Sequence, residues 1–258
     1  MFVPASLRIL VGLVLTFVAT AASAEPVTVK YLESAAHGFL VLRNDRGEVI
    51  AHGELIQTPQ ADNIQSRLVF RFLDGSLYDE IVTFSQKRVF RVVAYKLIQK
   101  GPSFPEPSEV SFDRASGRYR AQTGTDEPVE GPLEIPEDVY NGLTGTLIRN
   151  LPAGATGTAH IYAFTPKPRL LRSTMRPEAE DKYFVGDSAR TAPRYLVTME
   201  IGGLTGVVAS VLGKDPPDLR FWISTGPAPA FLRFQGAMFL KGPVWRIELS
   251  APRWPQDR

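Results

Sequence analysis

The sequence predicts a mainly β fold: a strongly curved antiparallel sheet, or open β-barrel, with one main helix covering it. Three observations carry this. Apolar residues recur with period two along most of the chain, the signature of strands. The runs are separated by short turns rich in Gly, Asp and Ser, and connections this short force antiparallel neighbours. Only one stretch, near the middle, has helical spacing.

Strands are expected from about 27–31, through 38–43, to 48–56. Those over 65–73 and 78–84 are joined across Asp74, Gly75 and Ser76, a turn in which glycine supplies positive φ. Ser85, Gln86 and Lys87 turn the chain into a strand over 89–97. Ala115, Ser116 and Gly117 close a further hairpin between 109–113 and 118–122. A helix is expected over about 136–149. Pro136 with Glu137 and Asp138 suits a helix N-terminus, and Val139, Tyr140, Leu143, Leu147 and Ile148 follow at helical spacing. Gly142 and Gly145 weaken that helix. Strands then resume over 157–164, 169–175, 182–185, 195–201, 219–224, 230–239 and 244–249. The segment 203–212 fits either a short helix or a bulged strand. Four Gly-Pro pairs, beginning at Gly101, Gly131, Gly226 and Gly242, punctuate strand ends.

Faces follow from the alternation. Tyr195, Val197, Met199 and Ile201 should share a buried face, opposite Thr198 and Glu200. Trp245, Ile247 and Leu249 should oppose Arg246 and Glu248. The strand over 89–97 is apolar on both faces and must be covered twice.

The first 24 residues read as a secretory signal peptide. Arg8 precedes an apolar run over 9–22, and Ala22, Ser23 and Ala24 make the small-x-small cleavage pattern. The run of about 14 residues is short of the ~20 needed to span a bilayer. The expectation is a single all-β domain over 25–258, exported and periplasmic, without a transmembrane segment. The chain has no cysteine, which excludes disulfides and a thiolate nucleophile or metal ligand. None of Asn44, Asn63, Asn141 and Asn150 begins an N-glycosylation site. The formal charge of +2 falls by one with Arg8, and gives no electrostatic case for nucleic acid.

Motifs for chemistry are sparse. His37, His52 and His160 lack metal-ligand spacing, and no Gly-x-Ser-x-Gly elbow occurs. Gly206 to Lys214 has the wrong spacing for a phosphate loop, with Asp215 where Ser or Thr should hold magnesium. Asp74, Asp79 and Glu80 cluster at a hairpin without a calcium-loop pattern. No catalytic residue, metal site or cofactor is therefore assigned.

The run over 218–224, Asp-Leu-Arg-Phe-Trp-Ile-Ser, followed over 226–234 by Gly-Pro-Ala-Pro-Ala-Phe-Leu-Arg-Phe, resembles the closing strands of an uncharacterised family of exported bacterial proteins. Gly53, the run over 68–72, and Ser76, Leu77, Tyr78 and Asp79 resemble that family's opening strands. The resemblance covers most of 27–250. It implies a curved antiparallel half-barrel, similar in architecture to the lipoprotein carriers LolA and LolB, though these have a more helical cover. It implies no catalytic residues.

Aromatic residues concentrated in strands are the remaining functional signal. They serve either as core or as the wall of an apolar cavity. Phe70, Phe72, Phe84, Phe90 and Trp222 are the candidate ligand-binding residues. The leading expectation is non-enzymatic binding of a hydrophobic small molecule or lipid on the concave side of the sheet. A structural role, or interaction with a cell-envelope protein, is the second; a hydrolase or isomerase with a dispersed site is the third.

Overall fold

The computed structural model describes residues 26–165, 167–185, 188–201 and 218–250. The expected signal peptide, 1–24, and the segment 203–212 lie outside them. The described chain forms fourteen strands and one helix, all strands antiparallel in a single sheet. The first half holds β1 (Ala36–Arg43), β2 (Val49–Gln60), β3 (Asn63–Phe72), β4 (Leu77–Gln86), β5 (Phe90–Lys100), β6 (Ser108–Asp113), β7 (Arg118–Thr123) and β8 (Val129–Pro132). The helix α1 (Thr144–Asn150) follows. The second half holds β9 (Gly157–Phe164), β10 (Pro168–Val185), β11 (Ser188–Ile201), β12 (Leu219–Ile223), β13 (Phe231–Ala237) and β14 (Val244–Ser250).

The spatial order runs from β8 back to β1, then from β14 back to β9. Every pair but one is a sequence neighbour. The exception, β1 with β14, joins the halves through Leu40 opposite Leu249 and Leu42 opposite Ile247. The sheet is a meander that would close if β8 paired with β9. It does not: the chain between them is used differently.

The helix is where structure and sequence pattern part. It covers seven residues rather than the expected 136–149. The chain over 138–141 is instead pinned along the free edge of β9. Val139 forms a parallel bridge with His160; the His160 N–H donates to the Asp138 carbonyl and the Tyr140 N–H to the His160 carbonyl, each at 2.8 Å. The Asn141 side chain continues the ladder, accepting from the Tyr162 N–H and donating to its carbonyl, both at 2.8 Å. An edge strand with free backbone groups is costly to bury, so this pairing outweighs a longer helix. Gly142, at φ 75°, then turns the chain into α1. A Cβ there would lie 3.2 Å from Val82.

Two apolar clusters fill the interior. In the first, Tyr140, Leu143 and Leu147 join Phe84, Phe90 and Val92, with Met175 and Val197 from the other half. The apolar positions read as a helix face are thus buried, whether or not they are helical. The second cluster holds Phe70, Phe72, Tyr78 and Phe104 with Phe234, Trp245 and Ile247. Gly53 is required here, because a Cβ would fall 2.3 Å from the Phe70 ring. Leu97, Leu219 and Phe221 touch both clusters and are themselves only partly buried.

The alternation expected for β11 holds at Tyr195 and Val197, both buried, with Glu200 exposed; Leu196, on the other face, is buried too. The strands expected at 169–175 and 182–185 are one strand, β10, with a bulge between Pro177 and Ala179. The segment expected as a strand at 27–31 makes only a bridge from Thr28 to Val89. It is held down by α1, where the Asn150 Oδ1 accepts from the Lys30 and Tyr31 N–H groups at 2.8 Å and Arg149 pairs with buried Glu33. No helix among the described residues is long and apolar enough to cross a membrane.

Candidate ligand cavity

The free ends of the sheet curl toward each other. Tyr162 and Phe164 of β9 lie against the rings of Phe112 and Tyr119 on β6 and β7, with centroids 5.9–6.4 Å apart. Beside this seam, where the two clusters meet, lies a cavity of about 270 Å³. Leu97 of β5, Val110 of β6, Ile161 of β9, Met199 of β11, Leu219 of β12 and Phe239 give its wall its apolar character. An apolar cavity of about 150 Å³ already accepts benzene, and ligand pockets run upward from about 300 Å³. Among the described residues no charged side chain lines it; Tyr95, Gln99, Ser108 and Thr165 are among its polar groups.

The five aromatic residues singled out from the sequence are placed elsewhere. Phe84 and Phe90 are fully buried in the first cluster, ring against ring at 6.1 Å. Phe70 and Phe72 are buried in the second. Trp222 is buried between two guanidinium groups, Arg194 and Arg233, and its Nε1 donates to Asp181 at 2.7 Å. None is part of the cavity wall. The wall comes from residues on several strands and the turn after β13, so only the register brings it together. The usable sequence signal is strand β5, whose apolar residues on both faces demand two covers.

The acidic cluster separates into three environments. Asp74 caps its turn, accepting from the Ser76 N–H at 2.8 Å and the Ser103 hydroxyl at 2.7 Å, and these bonds hold its pKa below the usual value against burial. Asp79 takes a bidentate bond from Arg67 at 2.8 and 2.7 Å. Glu80 points the other way, into the barrel, where the Tyr95 hydroxyl donates to its Oε1 at 2.8 Å. Burial raises its pKa above the ordinary 4.5, against the lowering effect of bonds from Tyr95 and Tyr78. Burial likewise raises both tyrosines well above 10, so their hydroxyls stay protonated donors.

His160 Nδ1 lies 2.8 Å from Asp138 and His37 Nε2 2.7 Å from Glu54, both within the strand framework. Among the described residues no group of three or more His, Cys, Asp or Glu side chains is placed to hold a metal ion.

Fold and cavity together define an open, barrel-like β meander with a largely apolar recess that opens to solvent. No family model matches the chain, and no curated protein does. Among solved structures it is similar to a β-barrel-like protein of the domain of unknown function DUF1849 from Brucella abortus. The TM-score is 0.51 at 10% identity, covering 85% of this chain and 97% of that one. At that identity the likeness is one of fold. It agrees with the barrel-like, uncharacterised part of the sequence resemblance and does not extend to LolA and LolB specifically.

Proposed function

We propose that the protein is an exported, periplasmic and non-enzymatic binder of an apolar or lipid-like ligand. The observation that supports this reading is the cavity at the seam of the sheet, walled by Leu97, Val110, Ile161 and Leu219. Native cores are packed to crystal density and leave few voids larger than a water molecule. An apolar recess of this size leaves apolar surface in water that an apolar guest would cover. The aromatic seam gives the guest a route that breaks no strand pairing, since β8 and β9 do not pair.

The test is uptake of the neutral, environment-sensitive dye Nile red. The protein should bind it with enhanced fluorescence. Ala163→Trp, which fills the cavity from β9, should reduce uptake at least tenfold while leaving the far-ultraviolet circular dichroism unchanged. Equal uptake by a folded Ala163→Trp protein, or none by the original, refutes the reading.

A further inference from the structure

The recess carries polar groups on one rung of its wall. Strands β5 and β6 line it with alternate residues, and their ladder sets Gln99 opposite Ser108 and Leu97 opposite Val110. A polar rung is thus followed, two residues on, by an apolar one about 7 Å away. Gln99 is only 5% exposed, and its Nε2 donates to the Met238 carbonyl at 2.9 Å. A carbonyl only accepts, so that bond settles which end of the amide is which. The Gln99 Oε1 is left to the recess: among the described residues nothing donates to it, and nothing bonds the Ser108 hydroxyl. The Tyr95 and Tyr162 hydroxyls are committed elsewhere, to Glu80 and to the Glu134 carbonyl. The wall therefore presents an acceptor and a hydroxyl side by side, and among the described residues no charged side chain joins them.

We infer that the ligand of this recess is an apolar chain with an uncharged head that both donates and accepts a hydrogen bond, a primary alcohol, received by Gln99 and Ser108. This rests on the apolar-binding reading above. The head hydroxyl donates to the Gln99 Oε1 and accepts from the Ser108 hydroxyl, so both wall groups are satisfied without a charge. The chain that follows covers the rung of Leu97 and Val110. An ammonium can donate to Gln99, but it sheds hydration and meets no countercharge in the wall. A carboxylate sheds hydration too, and sets acceptor against acceptor at Gln99. An ether accepts from Ser108 and leaves Gln99 unanswered.

The test is displacement of Nile red at pH 7 by decanol, decyl methyl ether, decylamine and decanoate, which share one chain and differ in the head. The amine and the acid are both ionised there, since groups of these kinds titrate at about 10.4 and about 4.3 in water. Decanol should bind tightest, about fivefold over the ether, the worth of one net hydrogen bond, and at least about tenfold over either ion. Gln99→Met, which removes the acceptor, should bring decanol down to the ether. Ser108→Ala, which removes the donor, should weaken decanol and the ether alike and leave decylamine unmoved, since an ammonium has no lone pair to accept with. Ser108→Ala decides alone if Gln99→Met does not fold. Decanol binding no tighter than the ether, or an ion binding as tightly as decanol, overturns the inference but leaves the apolar-binding reading standing. So does decanol binding unchanged in the folded variants. Failure of Nile red and all four chains to bind removes the apolar-binding reading itself, and the inference with it.

Discussion

At the scale of single residues, the structure assigns opposite duties to chemically similar neighbours. Asp79 and Glu80 are adjacent, and the pleat sends one outward to Arg67 and the other inward to Tyr95. The inward one is under electrostatic strain. Because burial raises its pKa in the fold, the folded state holds the Glu80 proton more tightly than the unfolded chain does. Glu80 therefore opposes folding increasingly as pH rises from the unfolded value of about 4.3 through the raised folded one. Glu80→Gln, which cannot ionise, should gain stability relative to the original protein between about pH 4 and pH 7. Urea unfolding at the two pH values measures this. A difference that stays constant, or that favours the original at pH 7, contradicts the burial of an ionisable group there. The five large aromatics that stand out in the sequence show the converse. Size makes them conspicuous, and size is why they are recruited to pack: Phe70, Phe84 and Phe90 are wholly inaccessible. The cavity wall combines Leu, Val, Ile and Met with other aromatics, Tyr95, Tyr162, Phe164 and Phe239, and no local pattern separates those from ordinary core residues.

At the scale of elements, the hairpins are legible because their turns announce themselves. Gly75 and Gly117 sit at positive φ where the sequence places turns. β10 reads as two strands in the sequence because Pro177 and a run of charged residues interrupt its apolar pattern. The structure absorbs Pro177 at the bulge, and the outer part of the β10–β11 hairpin pairs only with itself. Among the described residues no further strand pairs with that ribbon, which fits its polar sequence and the exposed Phe184. The helical pattern overruns α1 because 138–141 has helical spacing but a stronger use along β9. Gly142 is the switch between the two conformations. Gly142→Ala would force a left-handed backbone on a residue with a Cβ and press that atom against Val82 at 3.2 Å. The expected loss is about 1–3 kcal/mol, read from the urea midpoint. An unchanged midpoint would mean that α1 can begin earlier at no cost, contrary to the pairing of Asn141 with Tyr162.

At the scale of the whole molecule, the fold answers a packing problem set by strand number. An eight-stranded barrel is just filled by its own side chains, and larger closed barrels leave a lumen. Fourteen strands closed into a ring would leave more space than side chains fill. This chain leaves the ring open between β8 and β9 and packs the link, α1 and the β9 aromatics against the inner surface. The cavity is the space that remains where the two clusters meet. Curvature and antiparallel order are legible in the sequence, because short turns permit little else. The β1–β14 closure is not, because it joins the two ends of the described chain by pairing that leaves no local mark. The most direct test of the account is a crystal structure of the protein grown with decanol brominated at the far end of its chain. The account predicts one anomalous bromine peak in the cavity between β5 and β9. A peak confined to the outer surface, or an empty cavity at saturating ligand, would contradict it.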